Sequence, residues 1–291
     1  MKAKYWLSWM VVMLLLTGFS SCSDDDKEGT FDISRSDVHA MIGNKDNINI
    51  LPIEGNYTVK ALDESVATGE VKYTDRESDS TPLASVVVTP VSKGKTTFVI
   101  SNGIEEKNVN ITVVDPYIVF NVGHQIFSSI VDSDKTDGIN TELKRDPFLS
   151  LNNIFMLVKD EACTMYLFES KDDVAIYDRT KSVSQSSYKL KGSYNIEKSD
   201  DKYYLVLKSG NQSSRFEIGG NAEGKYIISS FFNLNSLKSE NTVPEFLAQI
   251  KLTEDLTEEY NIKFQGGISL VEREYTCTIL SQRMYLLPFE E

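Results

Sequence analysis

The feature that most constrains this fold is an alternation of apolar and polar residues with a period of two, which recurs from Phe31 to Asp115. Every second side chain of a β-strand points to the same face, so the alternation predicts strands with one buried and one exposed face. The clearest alternating apolar positions are Ile48, Ile50, Tyr57, Val59, Ala61, Val109, Ile111 and Val113. Turn-forming pairs such as Gly43-Asn44 and Asn102-Gly103 separate these strands. Short strands with frequent turns predict an antiparallel β-sandwich of roughly 100 residues.

Three pieces of this segment resemble the bacterial Ig-like domains of group 2. They are residues 56–59, 63–67 and 86–100, and the last of them contains a V-x-P-x-x-x-G-x-T turn followed by a strand. The resemblance implies an Ig-like domain over residues 31–115 that has no shared catalytic site and acts as a spacer or adhesive module. The segment lacks cysteine and tryptophan, which excludes the Cys-Trp-Cys core of antibody domains.

The rest of the chain, residues 116–291, is also predicted to be mainly strand. Pro116 directly follows the last strand of the Ig-like segment and favours a domain boundary at 115/116. The predicted strands include 202–208, 214–218 and 225–233. The turns between them are so short that the strands must pair antiparallel, and a short helix is predicted to start at Thr242. The chain is therefore predicted to be all-β, with an Ig-like β-sandwich followed by a β-rich domain that is either a lipocalin-like barrel or an open sandwich.

The N-terminal 21 residues have the organisation of a signal peptide. Lys2 and Lys4 give a positive start, and the apolar stretch Trp6–Leu16 leads to small residues before Cys22. A helix over that stretch would be about 16 Å long, against a bilayer core of about 30 Å. We therefore expect residues 1–21 to be a cleaved signal peptide and not a membrane-spanning anchor.

The sequence around Cys22 resembles the lipobox of bacterial lipoproteins, with Phe19 where leucine is usual. This resemblance implies that the Cys22 thiol becomes the lipid acceptor, labelled by palmitate, and that residues 22–30 form an acidic tether. The next residues are Ser23, Asp24, Asp25 and Asp26. They are similar to the export signal of Bacteroidetes-type surface lipoproteins. The resemblance implies a lipid-anchored protein on the extracellular face of the outer membrane.

The charge of the chain excludes one class of partner. The 291 residues carry a net charge of −13, and removal of the signal peptide leaves 28 basic against 43 acidic residues. A protein this acidic repels nucleic acid and anionic lipid headgroups. We therefore expect no nucleic-acid partner, and contact with the membrane only through the lipid at Cys22.

Two further cysteines, Cys163 and Cys277, remain in a compartment where disulfides persist. Strand alternation places Cys163 on the face of Met165, and Cys277 on the face of Ile279. Two buried free thiols are the favoured interpretation, with a disulfide as the alternative, because nothing in the sequence fixes the Cα separation that a bridge requires.

Catalytic chemistry has few candidates. The only histidines are His39 and His124, and no Gly-x-Ser-x-Gly motif supplies an activated serine. Two separated histidines and two thiols match no zinc spacing. The carboxylates are too numerous to single out the pair that a glycosidase needs. We therefore predict no catalytic residues and no cofactor.

Two short motifs suggest a metal ion or a modification. The weak calcium candidate is Asp132, Asp134 and Asp137, which begins like an EF-hand loop but lacks its glycine and its final glutamate. Asp79-Ser80-Thr81 is similar to the O-glycosylation acceptor of Bacteroidetes, which implies modification at Ser80 before the turn at Pro82.

Adjacent aromatic residues are the best sequence indication of recognition. On a strand, Tyr203-Tyr204 and Phe231-Phe232 would each place one ring on either face, and an outward ring can stack on a sugar or anchor a protein. The leading prediction is a non-enzymatic cell-surface lipoprotein that binds a glycan or protein or takes part in a surface assembly. The alternatives are a carrier whose barrel holds an apolar ligand, or a surface glycoside hydrolase. The carrier would need a cavity lined by Tyr188, Leu190, Tyr194, Tyr203 and Leu205.

Overall fold

A computed structural model of the chain contains two groups of strands joined by a connection of two residues, Asp115 and Pro116. The first group forms two four-stranded sheets, and the second forms a closed barrel of eight strands. The prediction of an all-β fold is confirmed. The structure describes residues 30–51, 55–74, 83–132, 134–176, 186–234, 247–282 and 284–288.

Strands β1 to β8 form a β-sandwich, as the alternation predicts. They are β1 Asp32–Ile33, β2 Asp37–Met41, β3 Asp46–Leu51, β4 Thr58–Ala61, β5 Ala67–Thr74, β6 Leu83–Pro90, β7 Gly94–Ser101 and β8 Glu106–Val114. The sheet orders are β1-β3-β6-β5 and β2-β8-β7-β4. On β7 every second residue is buried, at Thr96, Phe98 and Ile100, and these positions face the common core of the two sheets.

One pair of strands departs from the antiparallel prediction, because β2 runs parallel to β8. Parallel strands end at the same edge of a sheet, so the register partners Met41 and Val114 lie side by side. The Ile42 amide donates a hydrogen bond to the Val114 carbonyl at 3.0 Å. Since Met41 and Val114 pack with outward-facing barrel residues such as Val119, this end of the sandwich contacts the barrel.

Strands β9 to β16 form the barrel, which settles the alternatives of barrel and open sandwich. They are β9 Tyr117–Val131, β10 Ile154–Val158, β11 Thr164–Phe168, β12 Leu190–Ser199, β13 Lys202–Ser209, β14 Gln212–Gly220, β15 Gln249–Asp255 and β16 Ile268–Leu280. Neighbours in sequence pair antiparallel, and β16 pairs with β9 to close the barrel. The strands form a meander, because each one pairs with the next in sequence even where the connection between them is long or helical.

Side chains fill the barrel interior. Phe120 stacks on Phe155 with ring centroids 4.6 Å apart, and Phe216 meets Tyr275 edge to face at 5.8 Å. An eight-stranded barrel is only wide enough for side chains or one small ligand, so this packing occupies the space that a carrier would need. The residues predicted to line a cavity are divided between this core (Tyr194, Tyr203, Leu205), its edge (Leu190) and the exposed surface (Tyr188).

The outer surface is also buried at the start of β9 and along β10 and β11, and all five residues of β10 and of β11 are buried. The outward residues Met156 and Phe168 pack under the C-terminal segment, which contributes Leu287 and Tyr285. Residues 281–282 and 284–288 therefore cover one side of the barrel near the sandwich.

Among the described residues, three α-helices connect barrel strands. They are α1 Thr136–Leu143, α2 Ala222–Phe232 and α3 Thr257–Lys263. Helix α2 occupies the region where a strand over 225–233 was predicted, so that prediction is wrong. Asn221 begins the helix by accepting a hydrogen bond from the Gly224 amide at 2.8 Å, and Asn233 ends it with a φ of +60°. The helix predicted at Thr242 lies outside the described residues.

The two cysteines do not form a disulfide. Cys277 lies inside the barrel, where burial raises the pKa of its thiol. Cys163 is only half-buried and has a φ of +47°, because it lies in the turn before β11 and not in the strand. The prediction of a buried strand position is confirmed for Cys277 and is wrong for Cys163.

The connection between sandwich and barrel is held on both sides. Asp115 lies 3.6 Å from the Lys93 ammonium, and the Pro116 carbonyl accepts a hydrogen bond from the Lys159 amide at 2.6 Å. The division into separate domains at 115/116 stays a prediction. In the part of the chain that the structure describes, no helix is both long enough and apolar enough to cross a membrane.

Candidate functional site

A cavity of about 350 Å³ lies where the sandwich, the barrel and the C-terminal segment meet, and we call it the junction cavity. Its volume is at the lower end of the range for small-ligand sites. The described residues that line it are His39, Ala40, Met41, Gly43, Asn44, Lys45, Asp46, Val114, Tyr117, Gln282 and Leu287. The sandwich supplies most of this lining, so the sequence around the turn from β2 to β3 largely determines the site.

That turn is shaped by Gly43. The Asn44 amide donates a hydrogen bond to the Met41 carbonyl at 3.0 Å, which closes a four-residue turn. Gly43 is the third residue of the turn and has a φ of +86°, a conformation that glycine adopts without steric cost. The turn directs Asn44, Lys45 and Asp46 towards the cavity.

The opposite wall is fixed by Tyr117, the first residue of β9. Its hydroxyl lies 2.9 Å from the carbonyl oxygens of both Gln282 and Tyr285. The Gln282 side-chain amide in turn donates to the Tyr117 carbonyl. Burial raises the pKa of the Tyr117 hydroxyl, so it stays protonated as a donor. The Leu286 amide adds a hydrogen bond of 2.8 Å to the Ala175 carbonyl, and the wall is held in place before any ligand arrives.

Among the described residues, one of the charged groups that line the cavity has an ion-pair partner and the other does not. Asp46 forms an ion pair with Arg35, and its carboxylate also accepts a hydrogen bond from the Asn47 amide at 2.8 Å. Lys45 forms no ion pair within the described part of the chain. Burial lowers the pKa of His39, an effect that Asp37 opposes and Lys95 reinforces. At neutral pH the His39 imidazole is therefore uncharged and offers one donor and one acceptor.

The lining also separates apolar from polar groups. Met41, Val114 and Leu287 contribute apolar surface, and Val114 and Leu287 are themselves almost fully buried. The side chains of His39 and Asn44 make no hydrogen bond to any described residue and are available to a ligand. An apolar surface beside unsatisfied donors and acceptors is the usual chemistry of a site that orients a small polar molecule.

A second polar cluster lies at the end of the barrel that α1 and α3 cover, and we call it the covered end. Arg273 and Glu254 face each other on β16 and β15 and form an ion pair of 3.1 Å with both side chains at most 10% exposed. The Arg273 guanidinium also donates to the carbonyls of Leu143 at 2.9 Å and Arg145 at 3.3 Å, at the end of α1. The Arg273 guanidinium thus bonds to other groups of the protein, and the cluster links α1 to the barrel.

Two buried polar atoms lie deeper in the barrel. The Tyr275 hydroxyl and the Gln125 side-chain nitrogen make no hydrogen bond within the described residues. Tyr275 and Gln125 are register partners on β16 and β9. Burial is the main reason that the pKa of Tyr275 is raised, and the nearby Glu254 carboxylate adds to the effect.

Several residues predicted from sequence are not brought into a site. Asp132, Asp134 and Asp137 are exposed, and α1 begins at Thr136, so a helix replaces most of the calcium loop. In the described ranges no three His, Cys, Asp or Glu side chains are grouped to hold a metal ion. His124 is exposed on β9 and does not line the cavity. Other predicted site residues lie outside the described residues and are Cys22, Ser23, Asp24, Asp25, Asp26 and Ser80.

The predicted recognition aromatics have other contacts. Tyr204 faces outward as expected, but the Arg215 guanidinium lies 3.3 Å from its ring centroid and covers it. Phe231 and Phe232 are consecutive residues of α2 and not of a strand, so the expectation of one ring on each sheet face is wrong. Phe232 packs edge to face on Tyr194, at 5.6 Å between centroids. These rings contribute to packing more than to an open binding surface.

Sequence reasoning missed most of the cavity residues. The Gly43-Asn44 turn was recognised, but nothing in the sequence indicates that it meets Gln282 and Leu287. A tyrosine immediately after a domain-boundary proline, here Tyr117, is the one sequence feature that would have pointed to a junction.

Comparisons with known proteins give no family. No protein-family model matches the sequence, and no curated protein matches it. Among solved structures, domains 4 and 5 of the S-layer protein SbsC align at 24% identity and a TM-score of 0.25, covering 29% of this chain and 51% of that one. A longer SbsC structure aligns at 15% identity and a TM-score of 0.26, covering 64% of this chain and 23% of that one.

A third similar structure is a protein of Listeria monocytogenes EGD-e in complex with glucose, magnesium and calcium. It aligns at 15% identity and a TM-score of 0.20, covering 81% of this chain and 22% of that one. This chain thus spans about half of the first of these proteins and less than a quarter of the other two. Likeness at such TM-scores carries no conclusion about this protein.

Proposed function

We propose that this protein is a non-enzymatic lipoprotein, anchored through Cys22 on the extracellular face of the outer membrane, that binds a glycan in the junction cavity. The observation that carries the binding proposal is the cavity itself, with an apolar surface next to the side chains of His39 and Asn44, which have no hydrogen-bond partner among the described residues. Sugars present C–H groups on their ring faces and hydroxyls at their edges, and such a lining complements both. The lipobox-like sequence supports the lipid anchor, and the acidic run after it supports the location on the extracellular face.

Two features support binding without catalysis. Asp46 is the only carboxylate among the described residues of the cavity lining, and it is paired with Arg35. A glycosidase of the common type needs two carboxyl groups on either side of the bond that it breaks. The competing proposal of an apolar carrier has less support, because aromatic and aliphatic side chains occupy the barrel interior.

A cavity-blocking variant tests the binding proposal. The full-length lipoprotein in detergent would be titrated with a panel of neutral and acidic oligosaccharides by calorimetry. Asn44→Trp places a large ring at the cavity and should weaken binding at least tenfold, which corresponds to about 1.4 kcal/mol. Asn108→Trp is the matched control, since Asn108 is exposed on β8 of the same sandwich and does not line the cavity. Equal binding by both variants, or no binding by the wild type, would refute the proposal.

The lipid anchor and the extracellular location are tested separately. Cys22→Ala should abolish palmitate labelling and membrane attachment, because the thiol is the proposed lipid acceptor. Replacing Asp24, Asp25 and Asp26 by alanine should keep the protein lipidated but protect it from protease added to intact cells. If both forms are digested equally, the acidic run is only a linker. If the wild type itself resists the protease, the extracellular address is wrong.

A further inference from the structure

We infer that the junction cavity selects a sugar acid, whose carboxylate pairs with Lys45 while its ring lies against the apolar part of the lining. This inference rests on the proposed glycan binding and names the class of ligand. Its basis is the distribution of charge around the cavity together with the separation of apolar and polar lining groups.

The charge balance of the cavity is the first step. Asp46 is the only carboxylate among the described lining residues, and its charge is compensated by Arg35. Lys45 is exposed and has no ion-pair partner in the described part of the chain, so its ammonium group is free to pair with a ligand at the cavity. The chain as a whole has a net charge of −13, which disfavours the approach of anions in general. A local positive charge in such a protein favours an anion at that position.

The number and type of cationic groups at the cavity favour a carboxylate over a phosphate as the bound anion. Phosphate sites commonly use an arginine fork or several converging backbone amides. Here the Arg35 guanidinium is already engaged by Asp46 and by the Asn47 carbonyl. One free ammonium group matches a single negative charge, which a carboxylated sugar carries.

The remaining lining fits the rest of a sugar ring. The His39 imidazole is uncharged and can both donate to and accept from hydroxyl groups, and the Asn44 amide can do the same. Met41 and Leu287 supply apolar surface for the C–H face of the ring. The wall formed by Tyr117, Gln282 and Tyr285 is already ordered by its own hydrogen bonds, so little ordering is needed on binding.

The experiment compares sugar acids with their methyl esters, which keep the ring and remove the charge. Glucuronic acid, galacturonic acid and N-acetylneuraminic acid oligosaccharides and their esters would be titrated onto the full-length lipoprotein. At least one acid should bind about tenfold tighter than its ester, and this preference should weaken as salt is raised. Lys45→Gln should remove the preference, and Lys45→Arg should keep most of it.

The control is Lys60→Gln, which removes an exposed lysine on β4 at the far edge of the same sheet and should leave the preference unchanged. Equal affinity for acid and ester, or an unchanged preference in Lys45→Gln, overturns the inference and leaves glycan binding standing. Absence of binding by every acidic and neutral sugar overturns both proposals.

Discussion

The junction cavity and the covered end of the barrel both gather polar side chains, but the junction cavity leaves one of its charged groups without an ion-pair partner in the part of the chain that the structure describes. Arg273 meets Glu254 and two backbone carbonyls, and the pair is nearly excluded from solvent. At the junction cavity, Lys45 has no ion-pair partner within the described residues. A buried charge is tolerated only when it is paired, whereas a site that must receive a ligand keeps groups without protein partners. The difference separates a structural cluster from a candidate binding site.

The largest expected effect comes from breaking the buried ion pair. Arg273→Met should destabilise the protein by about 3 to 5 kcal/mol, because the Glu254 carboxylate would stay buried without a counter-charge. Lys45→Gln at the junction should change stability by less than about 0.5 kcal/mol. Urea unfolding of both variants measures the contrast. Adding Glu254→Gln to Arg273→Met should recover part of the loss, and similar stabilities for Arg273→Met and Lys45→Gln would remove the distinction between the two regions.

Two buried tyrosines inside the barrel allow the same comparison between a polar group that has a described protein partner and one that does not. The Tyr194 hydroxyl donates to the Val158 carbonyl at 3.0 Å, whereas the Tyr275 hydroxyl has no partner among the described residues. Tyr194→Phe should cost about 1 to 2 kcal/mol because it leaves a buried carbonyl unsatisfied, and Tyr275→Phe should be neutral or slightly stabilising. Thermal unfolding compares the two. A larger loss for Tyr275→Phe would mean that its hydroxyl has a partner that matters for stability.

The smallest effect is the pH response of the junction. Burial lowers the pKa of His39 below the ordinary histidine value of 6.5, with Asp37 opposing and Lys95 reinforcing the shift. The unfolded chain therefore binds a proton more readily, so this contribution to stability is fully present above about pH 6.5 and decreases as the pH falls below it. His39→Gln should flatten that part of the stability profile. His124→Gln, at an exposed position, is the control and should leave the profile unchanged.

The part of the meander from β12 to β14 was predictable because these strands follow one another through short turns. The strands predicted over 202–208 and 214–218 lie within β13 and β14. The helix over most of segment 225–233 was predicted as a strand, because its isoleucine and phenylalanine residues favour strands on propensity alone. In the structure a Cβ on Gly224 would lie 2.0 Å from the Gln249 carbonyl oxygen, so the helix packs closely on β15 at a glycine. Such long-range contacts override local propensity.

The sequence by itself determined the all-β class, the sandwich, most of the turns and the expectation of a lipid anchor, because alternation, glycine turns and the lipobox-like motif are local features of the chain. Only the tertiary structure decided that the second group of strands closes into a filled barrel and that a cavity forms at the junction. Closure depends on the pairing of β16 with β9, and the cavity joins His39 to Gln282 across most of the chain. Contacts between residues so distant in sequence arise from packing, and no local pattern specifies them.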